Sequence, residues 1–193
     1  MDNFLWITIG LKMISKFLKI RQEPWVSLQT KKWLESYLNP EMTVFEFGSG
    51  GSTIFIGRKV KKVISVEYQR LWFVKVLINL LYYKIFNFKL HLVTPEVKSS
   101  NNKYYVSSDP IFKKLNFKNF ALAIDEYPDK YFDLVFVDGR ARNGCIKHAI
   151  RKIKKNGYLL LDDSHRELYN LGKELLKRYK SKKLGDASAW LIK

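Results

Sequence analysis

One cysteine, Cys145, stands in 193 residues, so the chain can form no internal disulfide and no cysteine-rich zinc site. It falls inside a helix predicted over 143–155, where it reads as a small buried apolar side chain, and a reducing, cytoplasmic setting is the expectation. Acidic residues are scarce too: 18 Asp and Glu against 35 Lys and Arg leave a formal net charge of +17. That excess suits a polyanion partner, either RNA or an anionic membrane surface. Most of the basic residues are lysines scattered over many segments, however, and charge alone names no partner. A long uncharged apolar run is also missing at the start of the chain. Residues 4–20 contain Lys12, Lys16 and Lys19, which argues against a spanning helix, and no small-residue cleavage site follows to mark a signal peptide.

What remains is a chain sized for one domain, with 47% apolar residues to build a core. Residues 1–39 read as a helical lead-in and 40–193 as the domain proper. Over 4–20 a helix would carry Thr8, Lys12, Ser15, Lys16 and Lys19 on one face, with Phe4, Leu5, Ile7, Leu11, Ile14 and Leu18 turned away from it. Such a helix lies on an anionic membrane surface or packs on the domain or a second subunit. A further helix is predicted over 27–38, ended by Asn39-Pro40, and it would bring Trp25 and Ser27 near the glycine turn described next.

The stretch 43–53, TVFEFGSGGST, is a short apolar run followed by three glycines and two serines. It predicts a buried strand, a tight turn and a helix from about Thr53. Glycine lets the backbone turn and lets a ligand lie against the peptide groups, while the free amides opening the helix face the turn. Residues 62–67, KVISVE, form a second buried strand ending in Glu67. A carboxylate at that strand end, about twenty residues past such a turn, can accept both hydroxyls of a ribose.

Beyond it the pattern alternates. An apolar helix is expected over 71–86, buried on most sides, and a strand over 88–93. Residues 96–116 are rich in Ser, Asn and turn signals around Tyr104-Tyr105 and read as a lid or recognition loop. A short helix over 117–126 leads to a strand over 131–138, then the helix 143–155 stopped by Asn156-Gly157, a strand over 158–161, a helix over 168–179, and a closing hairpin over 182–192. The expected class is α/β: a doubly wound, mostly parallel sheet with an antiparallel edge hairpin at its C-terminal end.

The strand ends deliver Asp138, Asp162 and Asp163 to one edge. Two uses are open: the three carboxylates hold a magnesium-type ion that acidifies a substrate hydroxyl, or one acts as base or orienter while Asp163 and Ser164 cap the next helix. His165, at the same edge, suits removal of a proton from a hydroxyl. His91 and His148 read as structural. Arg140, Arg142 and Arg166 gather there to bind an acidic substrate group or to face solvent.

FEFGSGGST followed by VISVEY, and FDLVFVDG after them, resemble the class I S-adenosylmethionine-dependent methyltransferases, whose domain is Rossmann-like. A nicotinamide-binding domain has a similar turn and acid, and the third match separates the two. The resemblance covers about 40–193. It matches Glu46, Gly48 and Gly50 to the family's acid and first two glycines, with Ser52 where a third glycine is frequent. It implies that Glu46, Gly48, Ser49, Gly50 and Ser52 cradle the amino-acid part of S-adenosylmethionine, that Glu67 holds the ribose and Tyr68 the nucleoside, and that Asp138 sits beside the reactive methyl. In the metal-dependent O-methyltransferases an Asp after the fourth strand and an acidic pair after the fifth hold the ion, and Asp138 with Asp162-Asp163 is similar to this. No Asn-Pro-Pro-Tyr-like motif follows the fourth strand, which lowers methylation of nucleic-acid bases. The implied activity is O-methylation of a small-molecule, sugar or lipid-linked hydroxyl. RNA methylation and a non-catalytic binding domain with this fold are the rivals.

Overall fold

The computed structural model describes residues 19–97, 102–107, 109–112 and 114–193. All but Lys19 and Ile20 of the amphipathic stretch expected over 4–20 lie outside the described residues. Seven strands, β1 (Thr43–Phe47), β2 (Lys62–Glu67), β3 (Phe88–Leu92), β4 (Phe132–Val137), β5 (Ile153–Leu161), β6 (Lys180–Leu184) and β7 (Ala187–Leu191), form one sheet in the order β3-β2-β1-β4-β5-β7-β6. The first five are parallel, and β7 runs antiparallel to both β5 and β6. This is the doubly wound sheet with an antiparallel edge hairpin that the sequence predicts. The outermost strand, β6, exposes Lys180, Lys182 and Lys183.

β1, β2 and β4 are near-continuous apolar runs because helices cover both faces of the sheet. On one face Phe45, Phe47, Val135 and Val137 pack with Phe117, Phe120 and Ile146. On the other, Val44, Leu134, Phe136 and Leu160 pack with Leu34 and Ile56. Strand order reverses at β1, whose neighbours are β2 and β4, and that reversal opens a crevice at the carboxyl ends of the strands.

Six helices accompany the sheet among the described residues: α1 (Leu28–Tyr37), α2 (Gly51–Gly57), α3 (Arg70–Tyr82), α4 (Lys118–Leu122), α5 (Arg142–Ala149) and α6 (Asn170–Glu174). Ser27 caps α1, accepting from the Thr30 amide at 3.2 Å and donating its hydroxyl to Leu184 O at 3.0 Å. It therefore sits at the closing hairpin, not near the glycine turn as expected.

Three other expectations are corrected. The helix predicted over 143–155 ends at Ala149, a 3-10 turn covers Ile150–Lys152, and β5 begins at Ile153. Asn156, with φ +65°, lies within the strand where its register against β4 shifts, so Asn156-Gly157 marks a bulge where the sequence suggests a helix stop. The last helix is shorter than 168–179: a 3-10 turn, Glu167–Tyr169, precedes α6. Finally, α3 is not buried on most sides. Val76 and Leu80 join Ile20, Ile54 and Ile85 in a core cluster, but Leu71, Val74, Ile78, Leu81 and Tyr82 are exposed. An apolar residue on every face hides which face is inward.

Candidate functional site

The crevice is built around the turn after β1. Gly48 has φ +93°, and a Cβ there would stand 3.1 Å from the Gly139 backbone, so the loops after β1 and β4 touch only because both residues are glycines. The Gly48 amide donates to Val66 O at 3.0 Å, and the Asp138 amide donates to Phe47 O at 3.0 Å, which fixes the loop ends to the sheet. α2 then starts at Gly51, two residues earlier than expected. A Cβ on Gly51 would collide with the carbonyl oxygens of Arg21 and Glu23, so the irregular lead-in around 21–23 is packed directly on the turn.

Glu67 closes the β2 side. Its Oε1 accepts from the Tyr68 and Gln69 amides at 2.9 and 2.8 Å, and its Oε2 accepts from the Ser49 amide and hydroxyl at 3.2 and 3.1 Å. Burial pushes this carboxyl above its ordinary range, opposed by the hydrogen bonds from Gln69 and Ser49. Trp72, on the first turn of α3, donates its indole N–H to Ser49 O at 2.7 Å. The sequence reading missed Trp72. A tryptophan five residues after Glu67, with an N–H that needs a partner when half-buried, is the signal that points to it.

Glu46 stands behind the turn, not in the crevice. It is fully buried, and its Oε2 accepts from Thr53 and Ser65 hydroxyls, each at 2.6 Å, while Oε1 has no partner. Burial lifts its pKa to about 7 against the opposing hydrogen bonds of Ser65 and Thr53. The Thr53 hydroxyl also accepts from the Gly50 amide at 2.9 Å, so Glu46 shapes the turn through Thr53. In this structure its work is to hold the cradle.

On the β4 side everything converges on Arg142. Its Nη2 is 2.7 Å from Asp138 Oδ1, its Nε donates to Gly139 O at 3.1 Å, and its Nη1 donates to Asp162 O at 2.5 Å and lies 3.6 Å from Asp163 Oδ2. The guanidinium also rests 5.0 Å from the centre of the Tyr169 ring. Asp138 is held well above the usual carboxylate range, first by burial and then by Asp162, with Arg142 working against both. Burial likewise raises Asp162. No group of three or more His, Cys, Asp or Glu side chains placed to hold an ion occurs among the described residues. The expected trio of Asp138, Asp162 and Asp163 thus does not fit a metal: an arginine stands among them, and Asp162 offers it a carbonyl.

The capping alternative for Asp163 and Ser164 also gives way. The Ser164 hydroxyl donates to Asp186 O at 3.1 Å, and Asp163 bridges Arg142 and Arg166, the latter at 3.1 Å. His165 is exposed, its Nδ1 3.5 Å from Asp186 O, and it is not among the residues lining the crevice. Arg140 and Arg166 do line it. Arg140 is paired with Asp109 at 3.3 Å and lies over the Tyr68 and Phe112 rings, which ties the 109–112 segment to the site. The three arginines predicted for an acidic substrate are therefore each paired within the chain.

Two hollows flank the turn. One of about 360 Å³ is lined by Gly48, Ser49, Glu67, Tyr68 and Asp138 among others. The second, about 380 Å³, is lined by Gly50, Ser52 and the lead-in through Ile20 and Trp25. Ser49, Trp72 and Asp138 border both, so the two hollows adjoin at the glycine turn, with the Trp72–Ser49 hydrogen bond between them. A third hollow, about 460 Å³, lies beyond Arg142 and is walled by Ser107, Asn143, Tyr169 and Asn170. Glu67 borders the first, Gly50 to Ser52 border the second, and Asp138 borders both.

No family model matches the chain, and no curated protein does. Solved structures do. A methyltransferase-like protein from Silicibacter pomeroyi superposes with a TM-score of 0.67 at 24% identity, covering 91% of this chain and 90% of its own. A Streptococcus mutans protein solved in complex with S-adenosylhomocysteine gives 0.57 at 14% identity over 83% and 94%. An rRNA methylase from Streptococcus thermophilus gives 0.59 at 14% identity over 88% and 99%. The chain has the fold of the class I S-adenosylmethionine-dependent methyltransferases.

Proposed function

We propose that the chain transfers a methyl group from S-adenosylmethionine to a hydroxyl of a small-molecule, sugar or lipid-linked acceptor. The observation that carries this is the meeting of Glu67, the Gly48 turn and Asp138 in one hollow at the point where strand order reverses. The donor's sulfonium makes its methyl electrophilic, so the protein's task is to align donor and nucleophile and to accept a proton. Gly48 to Ser52 face the amino-acid end. Glu67 takes the ribose by exchanging its Ser49 contacts for the sugar hydroxyls, and Tyr68 flanks the nucleoside. Asp138 borders the reacting atoms, and its raised proton affinity suits it better than exposed His165 to receive the hydroxyl proton. No step runs through a metal ion, because Arg142 stands where one would be held.

The hollow beyond Arg142 adjoins the crevice through Gly139, Arg142 and Tyr169, and it sets Ser107, Asn143 and Asn170 beside apolar Val106, Leu168 and Leu171, which suits an acceptor that carries both hydroxyl and apolar groups. Calorimetry with S-adenosylmethionine and S-adenosylhomocysteine tests the donor. Binding of both is expected, and binding of neither sinks the proposal. Incubating metabolite extracts with a labelled methyl donor then identifies the acceptor, and label found only in RNA would move the reading to RNA methylation.

A further inference from the structure

We propose that the outer face of α3 is a docking surface for an anionic lipid bilayer, a role that stands independently of methyl transfer. Leu71, Val74, Ile78 and Leu81 recur at helical spacing with Tyr82 beside them, which places them in one stripe along the helix. Phe86 follows just past its end. Leu71 is 83% exposed, Tyr82 75% and Phe86 71%, whereas scattered single apolar residues are what an ordinary surface shows. The opposite face, with Val76 and Leu80, is already packed on Ile20 and Ile54, so among the described residues the core takes up that side of the helix and leaves the stripe outside it.

Charge selects the occupant. From Arg58 to Leu92 the sequence holds a single acid, Glu67, and that carboxylate is buried in the site. Exposed Arg70 and Lys84 bracket the stripe at its two ends, and Arg58 lies 5.2 Å from the centre of the Tyr83 ring. A second copy meeting the same face across a twofold axis would set cations against cations with no acid to pair them. Residues 4–18 carry Lys12 and Lys16 and no acid, so they do not complement the charge of this face either. RNA would satisfy the cations and leave the apolar stripe in water. A bilayer with anionic headgroups satisfies both, taking Leu, Ile and Val side chains below the headgroups, aromatic residues at their level and Lys and Arg at the surface. None of the described helices is long and apolar enough to cross the membrane, so the contact lies in the interface plane.

The test is flotation of the full chain with vesicles of phosphatidylcholine alone and with about 30% phosphatidylserine added. It compares the wild type with an Ile78→Glu/Leu81→Glu double variant whose fold is verified by circular dichroism and thermal melting. The wild type should float with the anionic vesicles, and the variant should lose about tenfold or more of that partitioning. Light scattering should give both the same mass. The proposal is overturned by a wild type that stays in solution or that floats equally with neutral vesicles. It is equally overturned by a variant that floats undiminished, which would assign binding to residues 4–20 or to charge alone, or by one that turns a dimer into a monomer. Calorimetry with S-adenosylhomocysteine on both proteins keeps this result separate from the donor reading, since Ile78 and Leu81 line neither hollow at the turn.

Discussion

Arg142 Nη2 lies 2.7 Å from Asp138 Oδ1, and the same guanidinium reaches Asp162 and Asp163. A cation fixed by side-chain and backbone oxygens holds the post-β4 loop against the post-β5 loop. Removing it leaves the carbonyls of Gly139 and Asp162 without their donor and the Asp138 and Asp163 carboxyls without their cation. Arg142→Ala should cost on the order of 3 kcal/mol in urea denaturation. Arg142→Lys, which keeps the charge and loses the fork, should cost less than half of that. Equal stability of all three proteins would show that the pair contributes nothing.

The same geometry makes a statement about ions. Stripping the protein with a chelator should leave its affinity for S-adenosylhomocysteine unchanged, and titration with Mn²⁺ should show no site tighter than about 1 mM. A tight Mn²⁺ site that disappears in Asp138→Asn would contradict the assignment of Arg142.

The proposed ribose role of Glu67 has a direct test: Glu67→Ala should weaken S-adenosylmethionine and S-adenosylhomocysteine alike by about tenfold to a hundredfold, the loss expected for two charge-assisted hydrogen bonds. Calorimetry reads this directly, and unchanged affinity would refute the ribose role.

Neighbouring glycines should behave differently. Gly51→Ala drives a Cβ into the carbonyls of Arg21 and Glu23 and should destabilise the fold by about 2 kcal/mol. At Gly50 the nearest atom to an added Cβ is in Trp72, 3.7 Å away, so Gly50→Ala should stay within about 0.5 kcal/mol of wild type. Thermal melts of the two variants decide it, and the reverse order would show that the lead-in moves freely.

Glu46 sets a pH dependence. Its folded pKa of about 7 exceeds the ordinary 4.5, so the folded state binds the extra proton between these values. This group's contribution to stability is therefore largest below the lower value, falls as pH rises through the window, and is level above about 7. The fall is on the order of 3 kcal/mol. Glu46→Gln should abolish it, visible as a shrinking stability difference between variant and wild type on acidification to about pH 4.5. A difference that does not change with pH would place the ionised carboxylate in the folded protein.

The legible parts of this chain are those where one strand or one turn suffices. β1, β2 and β4 are apolar runs ending in a glycine or an acid, and Glu67 and Asp138 fall at the crevice because the strand ends do. The boundary between α5 and β5 was not legible, since Asn156-Gly157 signals a helix stop and a bulge equally well. The outward face of α3 was hidden because Leu71 and Ile78 look no different in sequence from Val76 and Leu80. Arg142 was visible as a basic residue near the site, but its role depends on oxygens from Asp138, Gly139, Asp162 and Asp163 meeting in space. Glu46 matched its expected position, and only the packing of Thr53 and Ser65 shows that it faces inward.

The lysines of β6 have a colloidal consequence. An outermost strand carries unpaired peptide groups that another sheet can extend, and Lys180, Lys182 and Lys183 place three like charges along that border. Strand-by-strand growth into fibres is thereby blocked at this end of the sheet, so concentrated preparations should stay dispersed at low salt and lose that protection as salt screens the lysines.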